Sequence, residues 1–175
     1  ISADETDNYL AATTIFDITI KKADSFITSD NIHTYTYTGT AIKPLYTINN
    51  TEQQVLYSDD IINSGNYTLT LFATESENYL SSSLVINVII NKAQGTITID
   101  DNFTYFYEGK TIEPTYSINN TEQIVIFSET PLNVGEHNIN LYASESLNYL
   151  EISKSITITI LPAKIKVKVN DVSSI

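Results

Sequence analysis

The chain has no cysteine, no methionine and no tryptophan. It therefore has no disulfide frame, no thiol chemistry and no cysteine-held metal, and its fold must rest on backbone pairing and apolar packing. Histidine occurs only twice. A base-assisted serine or threonine nucleophile needs an imidazole within reach, and two isolated histidines do not supply a repeated one. Basic residues number 9 against 21 acidic ones, for a net charge of −12. Phosphate binding needs clustered cations to displace counterions, so nucleic acid is excluded as a partner and an anionic membrane surface is disfavoured. Such acidity, with abundant Asn, Ser and Thr, reads as a solvated, self-repelling surface. Nothing in the sequence has the pattern of a signal peptide, a sorting tail or a membrane-spanning run, so no membrane insertion is expected.

What the chain does contain is one stretch spelled three times, at Ala3 to Leu10, Ala73 to Leu80 and Ala143 to Leu150, each of the pattern A-x-E-x-x-N-Y-L. Asn8, Asn78 and Asn148 stand 70 residues apart, and the register holds outward without insertion or deletion. Aligning 24–93 with 94–163 gives roughly 31 identities in 70 positions, placed where a core or a turn would need them. The expected organisation is the C-terminal part of a repeat (1–23), two whole repeats (24–93 and 94–163) and the start of another (164–175). Because residue 1 falls in mid-repeat, the sequence reads as a piece of a longer polypeptide.

The local pattern is that of strands. Phe16, Ile18 and Ile20 alternate with polar residues, and the same positions recur as Ile86, Val88, Ile90 and as Ile156, Ile158, Ile160. A period of two predicts a last strand with one buried face. Further short runs at Thr34 to Thr38, Ile42 to Ile48, Gln53 to Ser58 and Asn66 to Ala73 lie between turn signals. Of five glycines, four are paired between copies, Gly39 with Gly109 and Gly65 with Gly135. They are expected to supply positive φ at turns. The fold class implied is all-β, a small sandwich with Ile18, Ile20, Leu69, Leu71, Ile86, Val88, Ile139, Leu141, Ile156 and Ile158 inside. A β-grasp unit is the alternative, and its helix would have to lie over Glu75 to Ser83. Between repeats, Lys22-Ala23, Lys92-Ala93 and Pro162-Ala163 lead within a few residues to Phe26-Ile27-Thr28, Ile97-Thr98-Ile99 and Ile165-Lys166-Val167. A junction that short, without a Gly or Ser run, predicts a stiff connection.

The order Y-x-G-(T/K)-x-I-x-P, N-x-G-x-(Y/H), A-x-E-x-x-N-Y-L and an alternating strand ending in K-A resembles the tandem Ig-like repeats, of MBG and YDG type, of large bacterial surface proteins and adhesins. Tyr37-Thr38-Gly39-Thr40-Ala41 follows the pattern closely, while Tyr107-Glu108-Gly109-Lys110-Thr111 departs at its tail. The stretch Asn63 to Leu69 also resembles the tyrosine corner of Ig sandwiches, in which a Tyr hydroxyl bonds back to the backbone. His137 replaces Tyr67 in the second copy and could make the bond through a ring nitrogen, or the corner could be missing. The resemblance implies Ig-like repeats laid end to end, extracellular, at a cell surface or cell wall, extending or displaying something else.

Three constellations compete with that reading. His33 aligns with Phe103 and His137 with Tyr67, which suits packed rings better than a catalytic base. Glu5, Glu75 and Glu145 near Asn8, Asn78 and Asn148 form the one acid and amide set common to all copies, where a calcium ion could stiffen a junction. The plainer reading makes each Asn a turn residue, at positive φ or bonded to backbone, beside a solvated Glu, with Tyr9, Tyr79 and Tyr149 tucked inward. Tyr35 with Tyr37, and Tyr105 with Tyr107, project at a spacing of two and could stack on a glycan or anchor a protein partner, although core packing suits them as well. Exposed differences such as Lys43 against Glu113 and Thr40 against Lys110 speak against one shared ligand. The sequons at Asn49, Asn66, Asn102 and Asn119 are no more than this composition yields by chance, and Lys to Asn isopeptide bonds find no shared Lys outside the junctions. The expected function is a non-catalytic stalk whose partners are neighbouring repeats, with no cofactor. The alternative is a module binding a host glycan or protein through loops or the Tyr pairs.

Overall fold

The structure, a computed structural model, describes residues 1–167, and every regular element among them is a strand. In chain order these are β1 (Ser2–Ala3), β2 (Ala12–Thr13), β3 (Ile27–Thr28), β4 (Ile32–Thr36), β5 (Thr47–Ile48), β6 (Val55–Tyr57), β7 (Gly65–Ala73) and β8 (Ser82–Asn91), then β9 (Ile97–Thr98), β10 (Asn102–Phe106), β11 (Ser117–Ile118), β12 (Val125–Phe127), β13 (Gly135–Ala143) and β14 (Ile152–Leu161). The last six repeat the preceding six with both ends displaced by the same 70 residues. No helix forms over Glu75 to Ser83: the segment is a loop that enters β8, which removes the β-grasp alternative.

Each set of six makes the same two sheets. One has four strands in the order β10-β14-β13-β12, matched by β4-β8-β7-β6, and the other pairs β9 with β11, matched by β3 with β5. The long last strand is central. β14 pairs antiparallel with β13 from Gly135↔Ile160 to Ala143↔Ile152, and parallel with β10 from Asn102↔Thr157 to Phe106↔Leu161. Alternation then decides what is buried. Ile156, Ile158 and Ile160 of β14 lie on one face of the sheet with Ile139, Leu141 and Ala143 of β13 and Val125 of β12, while Ile97 of β9 and Ile118 of β11 pack against them. Two sheets with one apolar layer between them, closed by a parallel pair at the edge of the larger sheet, make an Ig-like sandwich.

The chain divides into two compact units. The first gathers Ile1–Asn31, Lys43–Asp59 and Thr68–Ile86. It holds the β1–β2 and β3–β5 pairs and the rungs Val55↔Ala73 to Tyr57↔Leu71, with Leu69, Leu71 and Ile86 buried. The second gathers Ile32–Ile42, Asp60–Tyr67 and the chain from Asn87 onward. It holds β4 against the end of β8, the bridge Ile42↔Ile61 and all of β9 to β14.

Three strand expectations fail. Residues 14–20 form no strand, and Phe16, Ile18 and Ile20 are 56, 73 and 90% exposed. Their equivalents in β8 and β14 have a partner on each side, whereas here only the rungs Ser2↔Thr13 and Ala3↔Ala12 exist, in the register of Tyr142↔Ser153 and Ala143↔Ile152. An alternating sequence with nothing beside it leaves its backbone to water. The run Ile42 to Ile48 is a strand only at Thr47–Ile48, because Pro44 is buried in mid-run and offers no N–H for a ladder. Residues 164–167 are irregular and exposed, and the remainder, 168–175, lies outside the described residues.

The turn residues act locally. Gly39 and Gly109 have φ of 79° and 72°, and Gly65 and Gly135 of 152° and 144°. At the start of β7 the Tyr67 hydroxyl donates to the Asn63 carbonyl at 2.9 Å, and His137 Nε2 lies 2.9 Å from the Asn133 carbonyl. The corner is thus kept when the ring changes. Gly95, the unpaired fifth glycine, has its own explanation: a Cβ there would lie 2.3 Å from Ile152 Cδ1. In the first copy both partners are serines, and Ser25 Oγ lies 3.0 Å from Ser82 Oγ. A polar pair in one repeat is replaced by a glycine and a large aliphatic in the next.

Ile18 and Ile158 occupy one register position with opposite burial. Replacing Ile158 by alanine should lower unfolding stability by about 2–5 kcal/mol, and replacing Ile18 should change it by no more than about 0.5 kcal/mol. Urea denaturation of the two variants measures both. Equal losses would mean that residues 14–20 are packed after all.

Candidate functional site

The most conserved segment between the repeats is polar: Ile48 to Gln53 and Ile118 to Gln123 both read I-N-N-T-E-Q. It is a clamp for the A-x-E-x-x-N-Y-L loop. The Asn50 side-chain oxygen accepts from the Glu52 and Gln53 amides at 3.1 Å, folding the segment into a tight turn. That turn aims the buried Gln53 amide at the Thr74 and Leu80 carbonyls, 2.7 and 3.0 Å away, so one side chain ties both ends of the loop. Glu52 then accepts from Ser76 Oγ at 3.0 Å and from Asn78 Nδ2 at 2.9 Å. The second copy repeats each bond: Gln123 holds the Ser144 and Leu150 carbonyls, and Glu122 accepts from Ser146 Oγ at 2.9 Å, Asn148 Nδ2 at 2.9 Å and Asn148 N at 3.1 Å.

The clamped loop meets the Lys-Ala pair that ends the preceding repeat. Lys22 donates to Glu75 and to the Ser76 carbonyl, Ala23 N donates to the Asn78 carbonyl at 2.8 Å, and Leu80 N returns to Ala23 at 2.9 Å. Lys92 and Ala93 do the same with Glu145, Ser146, Asn148 and Leu150. Each pair of backbone bonds is one rung of parallel bridge, Ala23↔Tyr79 and Ala93↔Tyr149.

The second boundary has a further layer. Asn148 is buried, its Oδ1 accepts from the Ser64 amide at 2.8 Å, and its Nδ2 also reaches Asn63 Oδ1 at 3.1 Å. Ser64 Oγ donates to the Leu147 carbonyl at 2.5 Å, and the Tyr37 and Tyr149 rings meet edge to face at 5.6 Å. Asn148 thus joins three segments, 63–64, 122 and its own loop. Asn78 makes the same bonds to Glu52 but is exposed.

The electrostatics follow the bonding. The Asn148 amide, foremost, holds the Glu122 carboxyl below the ordinary glutamate value of 4.5, against partial desolvation, with help from Ser146 and Lys92. Asn78 does the same for Glu52. Desolvation, then the Glu122 charge and Tyr149, raise the Tyr37 phenol.

The sequence-predicted residues fall as follows. No non-glycine residue described has positive φ, so Asn8, Asn78 and Asn148 are not left-handed turn positions. Their loops are closed instead by the bonds Thr6 N to Tyr9 O, Ser76 N to Tyr79 O and Ser146 N to Tyr149 O, at 2.9 to 3.0 Å. Glu75 and Glu145 are not simply solvated, since each is ion-paired across a junction. Among the described residues no three His, Asp or Glu side chains converge as a metal site would need. Tyr79 and Tyr149 are half-buried, whereas Tyr9 is 78% exposed. Tyr35 stacks on His33, and Tyr105 on Phe103 within the core layer. Tyr37 packs on Tyr149, and Tyr107 is 39% exposed. His137 also lies 3.7 Å from Glu129. The clamp escaped sequence reasoning, although six identical residues in a polar stretch with no strand pattern were its signal.

Two outcomes follow from Asn148 and Glu122. Replacing Asn148 by alanine strands the Ser64 amide and should cost about 1–3 kcal/mol, with faster hydrogen exchange at Ser64. Replacing Asn78 should cost less. Because the Glu122 and Glu52 carboxyls are lowered in the folded state, their contribution is full above the unfolded glutamate value and is lost as pH falls through the lowered one. Protection of the Ser64 amide, relative to its intrinsic exchange rate at each pH, should therefore fall below the ordinary carboxylate range, and Glu122→Gln should lower it already at neutral pH. An unchanged Ser64 amide in both variants would refute the assignment.

No family model matches the chain, and no curated protein matches it. Among solved structures, the fibronectin(III)-like modules of CbhA from Clostridium thermocellum align over 83% of this chain and 100% of their own, at 14% identity and a TM-score of 0.29. At that score the likeness bears on neither function nor partner.

Proposed function

We propose that the chain is a non-catalytic spacer segment of a large extracellular surface protein or adhesin, in which Ig-like repeats at 24–93 and 94–163, flanked by parts of others at 1–23 and 164–175, extend and present a distal domain. The observation that carries this reading is the junction. The same backbone bridge, Lys to Glu pair and Glu-held Asn loop recur at two successive boundaries, joined by a linker too short to act as free coil. A spacer needs neighbouring repeats to hold a set orientation, and side chains committed to the boundary serve that need. The tyrosines offered for ligand contact are largely engaged with other rings, and the acids beside Asn78 and Asn148 with lysines or loop donors, which supports a structural role for both sets.

Because the chain lacks cysteine, single cysteines introduced at the exposed Asn66 and Ser117 can carry spin labels without background. Their distance distribution should be narrow and should broaden in Asn148→Ala. A distribution equally broad in both proteins would sink the spacer reading. The competing function, recognition of a host glycan or protein, predicts saturable binding on a glycan array or in a pull-down that is lost when Tyr35 and Tyr37 are changed together.

A further inference from the structure

We propose that each repeat carries a shear clamp, the parallel pair β4–β8 in the first and β10–β14 in the second, and that this pair is where the protein bears tension. The inference starts from the direction of the strands. β10 is the first strand of the large sheet and β14 the last strand of the repeat, and they are adjacent and parallel over the five rungs Asn102↔Thr157 to Phe106↔Leu161. The pair is extended at its ends by Thr157 N to the Asp101 carbonyl at 2.9 Å and Tyr107 N to the Leu161 carbonyl at 2.8 Å. The first copy has the same rungs, Ile32↔Asn87 to Thr36↔Asn91, and the same end bond from Tyr37 N to Asn91.

Tension along the chain enters a repeat at its N-terminal end and leaves at its C-terminal end. Because the two strands point the same way, it pulls β10 and β14 in opposite directions along their own axes. Every hydrogen bond of the pair is then loaded together, crosswise to the slip. Had the pair been antiparallel, the same pull would open it one bond at a time. What lies ahead of the clamp is short: β9 holds β11 by the rungs Ser117↔Thr98 and Ile118↔Ile97, with Thr96 bonded to Asn119 beside them, and the junction adds the single bridge Ala93↔Tyr149. These give way first and pass the load on. Below the clamp, the buried faces of Ile156, Ile158 and Ile160 must slide past Phe103 and Tyr105, which pack on the same core layer. Slip therefore exposes apolar surface as well as breaking bonds.

Geometry of pulling is the decisive variable, and the full chain can be pulled two ways in single-molecule force spectroscopy. Handles on cysteines at exposed Asp100 and Pro162 load β10–β14 in shear. Handles at exposed Val134 and Pro162 sit at the open end of the β13–β14 hairpin, beside the rung Gly135↔Ile160, and unzip it. The shear pair should unfold at a force several times that of the unzipping pair. Tyr107→Pro removes one end bond at a partly exposed residue outside the strand, and should lower the shear force while leaving the unzipping force unchanged. Equal forces in the two geometries, or a Tyr107→Pro effect of the same size in both, would overturn the clamp. Such a result would leave the spacer reading standing, because a presenting segment need not resist load. Discovery of a glycan ligand would conversely leave the clamp untouched.

Discussion

The constraint on which the structure depends is that the last strand of a repeat must be paired on both sides. The chain contains its own control, since three segments of the same alternating pattern occur at 70-residue intervals and only two become strands. β14 lies between an antiparallel and a parallel partner, and β8 lies between β7 and its parallel partner β4. Residues 14–20, with Phe16, Ile18 and Ile20 at the inward positions, have neither and stay exposed. Periodicity confers the capacity to be a strand. The neighbours that satisfy the backbone and cover the apolar face decide whether that capacity is used.

With the central strand fixed, the remaining features serve its surroundings. Gly39 and Gly65 turn the chain between strands, and the ring at 67 or 137 ties the turn before β7 or β13 back to a carbonyl four residues earlier. At the other end of the hairpin lies the loop from 74 to 80, with Tyr79 half-buried. It is held by polar side chains, the buried Gln53 and the carboxylate of Glu52. Buried polar groups are stable only when satisfied, and no buried side-chain nitrogen or oxygen described lacks a partner. In a core built without tryptophan or disulfides, the loop clamp supplies order that apolar packing does not.

The aliphatic register was legible because burial with a period of two has few other causes: Leu69, Leu71, Ile86, Val88, Ile139, Leu141, Ile156 and Ile158 are all buried. The bond at Tyr67 and its replacement at His137 were legible as alternatives, because both rings present a polar atom at similar reach. The loop clamp was not legible, since Asn, Glu and Gln mark solvated turns as readily as satisfied ones and spacing does not say which donor they meet. Lys22 and Lys92 lie 53 residues from Glu75 and Glu145, a separation that no local pattern reports. Gly95 was opaque for a different reason. Its cause is the bulk of Ile152, a residue far along the chain that fills the place Ser25 and Ser82 share in the first copy.

The junction bonds belong to particular boundaries and are not a fixed property of the repeat. Asn63, Tyr37 and Ala93 have the counterparts Asn133, Tyr107 and Ala163, so the amide partner, the ring and the bridging alanine are kept. Lys92 and Ser64, however, correspond to Pro162 and Val134. Proline offers no charge for the loop glutamate, and valine has no hydroxyl for the carbonyl that Ser64 holds. A loop of the same sequence meeting the end of 94–163 would keep the backbone bridge and the ring contact while losing the ion pair and one side-chain donor. Since a solvated ion pair and a single hydrogen bond each contribute about 1 kcal/mol or less, such a change leaves the boundary formed but easier to open. The two side-chain contributions at this boundary thus rest on positions 64 and 92, both only partly buried, and not on the core that makes each repeat fold.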